Sequence, residues 1–319
     1  MFLKSLWLTA LTAASLFMVA CEDTPTDPDL VAPNAPTAIM ATSRSATAIS
    51  VKWTASTTGE AATGFVLVVA EDGGANAQEL TISSATTTNV DVTSLTEGKV
   101  YQMYVVAVND TARSTASPTI KWAPAQRHTA NLRLYETDSD QGSGIELPST
   151  AGLTISEGGR WDICLDTRGG VYDIASPSLS TYTDSLTNKF LNGDLPRITG
   201  IGKVWQNVTG LDQVYEAVAL NDAQNGTIEP KLLTFNTADT KGESFAFVVK
   251  TAAGNFAKVF VKSTGGRLLQ GTAPNRYLEL EVSFQSGVGI PYAIVAPSET
   301  SPYSKKSGNM IESNIKKND

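Results

Sequence analysis

The sequence predicts an all-β protein built from two strand-rich units in series. Three observations carry that expectation. Short apolar/polar alternations of period two recur along most of the chain, separated by Gly-, Asn- and Asp-rich turns. Thr, Ser, Ala, Val and Gly dominate, and the long A/E/K/L/R stretches of helical proteins are missing. Of the 319 residues, 41% are hydrophobic and 18% charged, enough apolar material for roughly two packed cores.

The chain opens with a short charged start that includes Lys4, followed by an apolar run over Leu6–Met18 that is short for a bilayer span. It closes on Met18-Val19-Ala20-Cys21. That ending resembles the lipobox of bacterial lipoproteins, with Ala20 at the small position and Met18 in place of the usual Leu. The resemblance implies cleavage after residue 20 and acylation of the Cys21 thiol. Each buried CH₂ of an acyl chain adds about 0.8 kcal/mol of membrane affinity, so several chains anchor a water-soluble body without a spanning helix. Residues 1–20 are therefore read as a lipoprotein signal peptide.

Residues 21–35 read as an acidic, proline-rich tether. Glu22, Asp23, Asp27 and Asp29 resemble the export tether of surface-displayed lipoproteins, and Pro25, Pro28 and Pro33 disfavour helix. The resemblance implies an outer-membrane lipoprotein exposed at the cell surface, with membrane lipid as one partner. The formal net charge of −8 argues against nucleic acid as another, because phosphate binding needs clustered Lys and Arg.

In residues 36–123, one strand face collects Ile49, Val51 and Trp53. The next collect Phe65, Leu67 and Val69, then Val90 and Val92, then Tyr101, Met103, Val105 and Ala107. Thr58-Gly59, Asp72-Gly73-Gly74 and Glu97-Gly98 mark the turns. Several short strands within about 90 residues predict a β-sandwich. With Pro33 and Pro36 ahead of the first strand, Trp53 on the second, "LTEGKVY" (Leu95–Tyr101) and "YQMYVVAVN", the segment resembles the fibronectin type III family. That implies an immunoglobulin-like sandwich with Trp53 in the core and a tyrosine corner in which Tyr101 bonds back onto its turn. A role as spacer or recognition module goes with it, although the fold by itself dictates no activity.

Residues 127–296 predict a second, mostly antiparallel β domain with few short helices. In "RWDICLDT", Trp161, Ile163 and Leu165 share one face and Asp162, Cys164 and Asp166 the other. Ser244–Ser263 reads as two strands around a Gly254-Asn255 turn. In the last strand Leu278, Leu280, Val282 and Phe284 point inward, and Leu211–Leu220 has the spacing of a short helix. Trp161-Asp162, the Thr251–Lys258 hairpin and Tyr277 are similar to the HmuY family of haem-binding surface lipoproteins. Residues 297–319, polar and of mixed charge, read as a tail.

The HmuY resemblance implies capture of a porphyrin or another small hydrophobic ligand, or docking of a partner protein. It also implies axial His or Met ligands, which suit haem iron. Those ligands are absent here: the one histidine, His128, stands at the domain's edge, and Met1, Met18, Met40, Met103 and Met310 all fall outside 127–296. Cys164, Tyr172 and Tyr182 are the remaining candidate ligands. With one histidine there is little basis for a Ser-His-Asp triad, and P-loop, CxxC and HExxH motifs are absent, so the expectation is a non-enzyme. Asp162 and Asp166 lie about 13 Å apart along a strand, too far for the roughly 5–9.5 Å of a glycosidase pair. Asp138–Glu146 reads as a surface turn rather than a calcium loop. The alternative to a binding protein is a structural or adhesive lipoprotein with no small-molecule site.

Overall fold

A computed structural model describes residues 31–147, 154–156, 161–167, 172–176, 199–215, 232–235 and 242–290. The signal segment, Cys21, Tyr182 and the 297–319 tail lie outside the described residues.

The first unit comprises β1 (Thr37–Ser45), β2 (Ala48–Thr54), β3 (Gly64–Glu71), β4 (Gln78–Ile82), β5 (Asn89–Val92), β6 (Tyr101–Asn109), β7 (Ala112–Arg113) and β8 (Ile120–Trp122). One sheet has the order β1-β2-β5; the other runs β4-β3-β6-β7, with β8 also paired to β6. All pairings are antiparallel. Period-two patterning sends Ile49, Val51 and Trp53 from one sheet against Phe65, Leu67, Val69, Met103 and Val105 from the other, all of them buried. Trp53 meets Phe65 edge-on, with ring centroids 5.3 Å apart. The Tyr101 hydroxyl accepts the Thr96 backbone N–H at 2.9 Å, closing the expected corner.

The second unit comprises β9 (Gln126–Tyr135), β10 (Gly144–Glu146), β11 (Thr154–Ser156), β12 (Ile163–Asp166), β13 (Tyr172–Ala175), β14 (Gly200–Gln206), β15 (Leu232–Phe235), β16 (Phe245–Lys250), β17 (Phe256–Lys262), β18 (Leu269–Gln270) and β19 (Tyr277–Phe284). One sheet has the order β11-β10-β12-β13-β15. The other runs β14-β16-β17-β19-β18, with β9 on the far side of β19. Between them lies a core that includes Ile163, Leu165 and Ile174 on one side and Phe247, Val249, Val259, Leu278, Leu280 and Val282 on the other. Gly254, at φ +86°, holds the β16–β17 turn, where the Gly254 N–H donates to the Thr251 carbonyl at 2.9 Å.

Over Leu211–Leu220, where the spacing suggests a short helix, the described residues 211–215 hold a 3-10 turn, Leu211–Gln213, and 216–220 lie outside the described residues. Leu211 and Val214 pack into the cluster built on the first unit. His128, at the edge of the second domain in sequence, is the third residue of β9 and pairs with Val282.

Candidate functional site

The hairpin β16–β17 shows why the two units meet where they do. Phe247, Val249, Val259 and Val261 face the second unit's own core, while Ala246, Val248, Phe256 and Phe260 join the first unit's core. Both alternations are apolar, as in a sheet covered on both faces. Lys258 lies on the same face as Phe256 and Phe260 and is only 2% exposed. Its Nζ sits 4.6 Å from the Trp122 ring centroid and 5.6 Å from that of Trp205, and donates to the Val214 carbonyl at 3.5 Å. The long methylene stem fills apolar space while the charge rests against two π faces.

The connection between β8 and β9 is Ala123–Ala125, three residues that are all buried. Gln285, fully buried, donates through Nε2 to the Pro124 carbonyl at 2.7 Å. Asn255 Nδ2 donates to the Gln285 and Ser286 carbonyls at 3.1 and 2.9 Å. The connector is thereby pinned to the hairpin turn.

A second polar centre lies at the opposite end of β19. The Glu136 carboxylate, 2% exposed, accepts from the Arg276 backbone N–H at 2.8 Å and from Arg276 Nε at 2.9 Å. Arg276 Nη1 donates to the Tyr172 hydroxyl. Burial pushes the Glu136 carboxyl up, but the side-chain and backbone hydrogen bonds from Arg276 outweigh it, and the net displacement is downward.

Among the described residues, Cys164, Tyr172 and His128 are not gathered at one site; Tyr182 lies outside the described residues. Cys164 is fully buried on β12 and pairs with Ala175 of β13, on the sheet face turned away from the inter-sheet core. Tyr172, on the other alternation of β13, belongs to that core and meets Arg276 through its hydroxyl. His128 is on the other sheet, and burial lowers its pKa against a smaller opposing pull from Glu97. These donors, on opposite faces and different sheets, do not fit an axial pair. Among the described residues, no group of His, Cys, Asp and Glu is placed to hold a metal ion.

Asp162 has a structural task. Its carboxylate accepts the Leu147 N–H at 2.7 Å and the Thr199 hydroxyl at 3.3 Å, tying strand ends together inside the protein. The 138–142 segment is a turn, with Ser139 donating to Asn275 Oδ1 at 2.8 Å and Asp138 and Asp140 exposed. Sequence reasoning missed the Trp122–Lys258–Trp205 clasp. The signal available was a lysine within an otherwise apolar strand, Phe256–Val261.

A fibronectin type III family model matches residues 34–136. The protein therefore carries a fibronectin type III domain, followed by a second β unit whose first strand, β9, the match includes. Among solved structures, a myokine is 21% identical, covering 29% of this chain and 99% of its own, with TM-score 0.27. The FN5 domain of Drosophila Lar is 21% identical (29% and 96% coverage, TM-score 0.25). The fn3 domain of human collagen alpha-1(XX) is 18% identical (30% and 88%, TM-score 0.27). No curated protein matches the chain.

Proposed function

We propose that this protein is a lipid-anchored surface binding protein, held to the outer membrane through acylated Cys21, in which the fibronectin type III domain is a spacer that carries a ligand-binding second unit. The observation that supports this reading is the polarity of the first domain. The chain enters at one pole, where Pro33 bridges Gly59 and Glu60 and Asn34 Nδ2 donates to the Thr58 carbonyl at 2.9 Å. It leaves at Trp122, whose indole N–H donates to the Ser43 hydroxyl at 2.8 Å near the far end of β1. Nine residues of strand, about 30 Å at roughly 3.3 Å each, separate the two ends of β1. A spacer needs that arrangement, with tether and cargo at opposite poles.

The resemblance of the second unit to the HmuY family makes it the binding unit. Its ligand is a small hydrophobic or porphyrin-like molecule or a partner protein, and the separation of Cys164, Tyr172 and His128 supports a mode of capture that does not use those three as an axial pair. Labelled palmitate should enter the wild-type chain in a bacterial host and not the Cys21→Ser variant, which should leave the membrane fraction; label in both would overturn the anchor. Haem should be titrated against the whole chain, since residues 127–296 alone would bare Phe256 and Phe260. Haem that binds with the shifted Soret band of an iron axially ligated by two of Cys164, Tyr172 and His128 would overturn this mode of capture.

A further inference from the structure

The outward face of the β1-β2-β5 sheet should be wet. By alternation it carries Met40, Thr42 and Arg44 from β1, Ser50 and Lys52 from β2, and Asn89 and Asp91 from β5. Yet Thr42 is 2% exposed and Ser50 is fully buried. What covers them is an arm, Asn207–Tyr215, that leaves the end of β14 and lies across this face. At Asn207 the backbone takes φ +56°, which turns the chain out of the sheet and onto its neighbour. Val208, Leu211 and Val214 bury their side chains in the first domain's core cluster.

The polar contacts are specific as well. Thr42 Oγ1 donates to the Leu211 carbonyl at 3.3 Å. The Tyr215 hydroxyl accepts from Asn89 Nδ2 at 2.7 Å and donates to Ser50 Oγ at 2.9 Å, while Ser50 Oγ donates to Asn89 Oδ1 at 3.2 Å, a closed ring of three side chains. Lys52 Nζ stands 4.1 Å from the Tyr215 ring centroid. At the rim, Asp212 takes Arg44 at 2.6 Å and Arg127 at 3.0 Å.

We propose that the Asn207–Tyr215 arm couples the fibronectin type III sandwich and the second β unit into one cooperative folding unit and fixes the angle between them. The arm belongs by sequence to the second unit and by packing to the first, so neither can lose its structure without uncovering the other. A connector of three buried residues leaves no slack through which one unit could unfold alone.

The test is peptide-resolved amide hydrogen exchange across a urea series on the whole chain, comparing peptides from β3 and β6 with peptides from β16 and β17. In the wild type the two sets should lose protection at the same urea concentration. Thr42→Glu places a charge under the arm without changing any residue of the second unit, and Tyr215→Phe, a milder change, breaks the three-residue ring. Either variant should lower the midpoint of the β16–β17 peptides together with that of the β3 and β6 peptides, Tyr215→Phe by the smaller amount. Distinct wild-type midpoints would overturn the proposal. So would a Thr42→Glu effect confined to β3 and β6 together with a silent Tyr215→Phe.

Discussion

Glu136 is a carboxylate almost wholly withdrawn from water, and Arg276 answers it with both backbone and side-chain donors. Replacing Glu136 with Gln leaves the guanidinium short of its counter-charge. Because Arg276 keeps 31% of its side chain exposed, the cost falls at the low end for a broken buried pair, about 3 kcal/mol in urea unfolding at pH 7. The folded-state pKa is depressed, so the stabilisation is present above the unfolded value near 4.3 and is lost as pH falls through the folded value. The wild type should therefore lose stability steeply in acid, and Glu136→Gln should flatten that part of the profile. Tyr101→Phe removes one hydrogen bond at the corner and should cost about 1 kcal/mol with the fold unchanged by circular dichroism. Lys258→Ala would leave a cavity between two indoles and should cost about 2–3 kcal/mol, whereas Lys258→Met, which keeps the stem, should recover most of that.

At the scale of elements, the hairpin turn is the joint through which β16 and β17 grip the connector. Asn255→Ala deletes two side-chain bonds to the Gln285 and Ser286 carbonyls and should lower thermal stability by about 1–3 kcal/mol, read as a drop in the melting midpoint. Much at this scale is legible in the sequence. The alternation in "AISVKW", "GFVLVVA" and "YLELEVSF" correctly assigns the side chains that enter the inter-sheet cores, because successive residues of a strand point to opposite faces, even in β3, where both faces are buried. The tyrosine corner is legible for the same reason: it is local. The arm is not. Leu211, Val214 and Tyr215 carry a helix-like spacing that is used instead to reach across to another sheet, and nothing local distinguishes the two uses. Thr42 and Ser50 look like ordinary solvent-facing residues, since their cover comes from about 165 residues further along the chain.

For the whole molecule, the rim of the junction is held by charge. Burial pushes the Asp212 carboxyl up, yet the hydrogen bond and charge of Arg44, with Arg127, outweigh it and hold the group below its ordinary value. Its contribution is thus present near neutrality and lost on acidification through the folded value. These side chains are partly exposed, so salt should screen them: exchange protection over Asn207–Tyr215 should fall between low and high ionic strength, while that of β17 holds. The candidate binding unit was legible only in outline. Motifs place its strands, but whether Cys164, Tyr172 and His128 meet depends on sheet pairing that no single stretch records.

The three-residue connector between β8 and β9 has a consequence for anyone cutting the protein apart. A protease needs an extended, mobile stretch about as long as its cleft, and Ala123–Ala125 offers it no seam. Digestion under native conditions should release no fragment ending near Trp122, and expression boundaries drawn between the two β units would sever a wall rather than open a door.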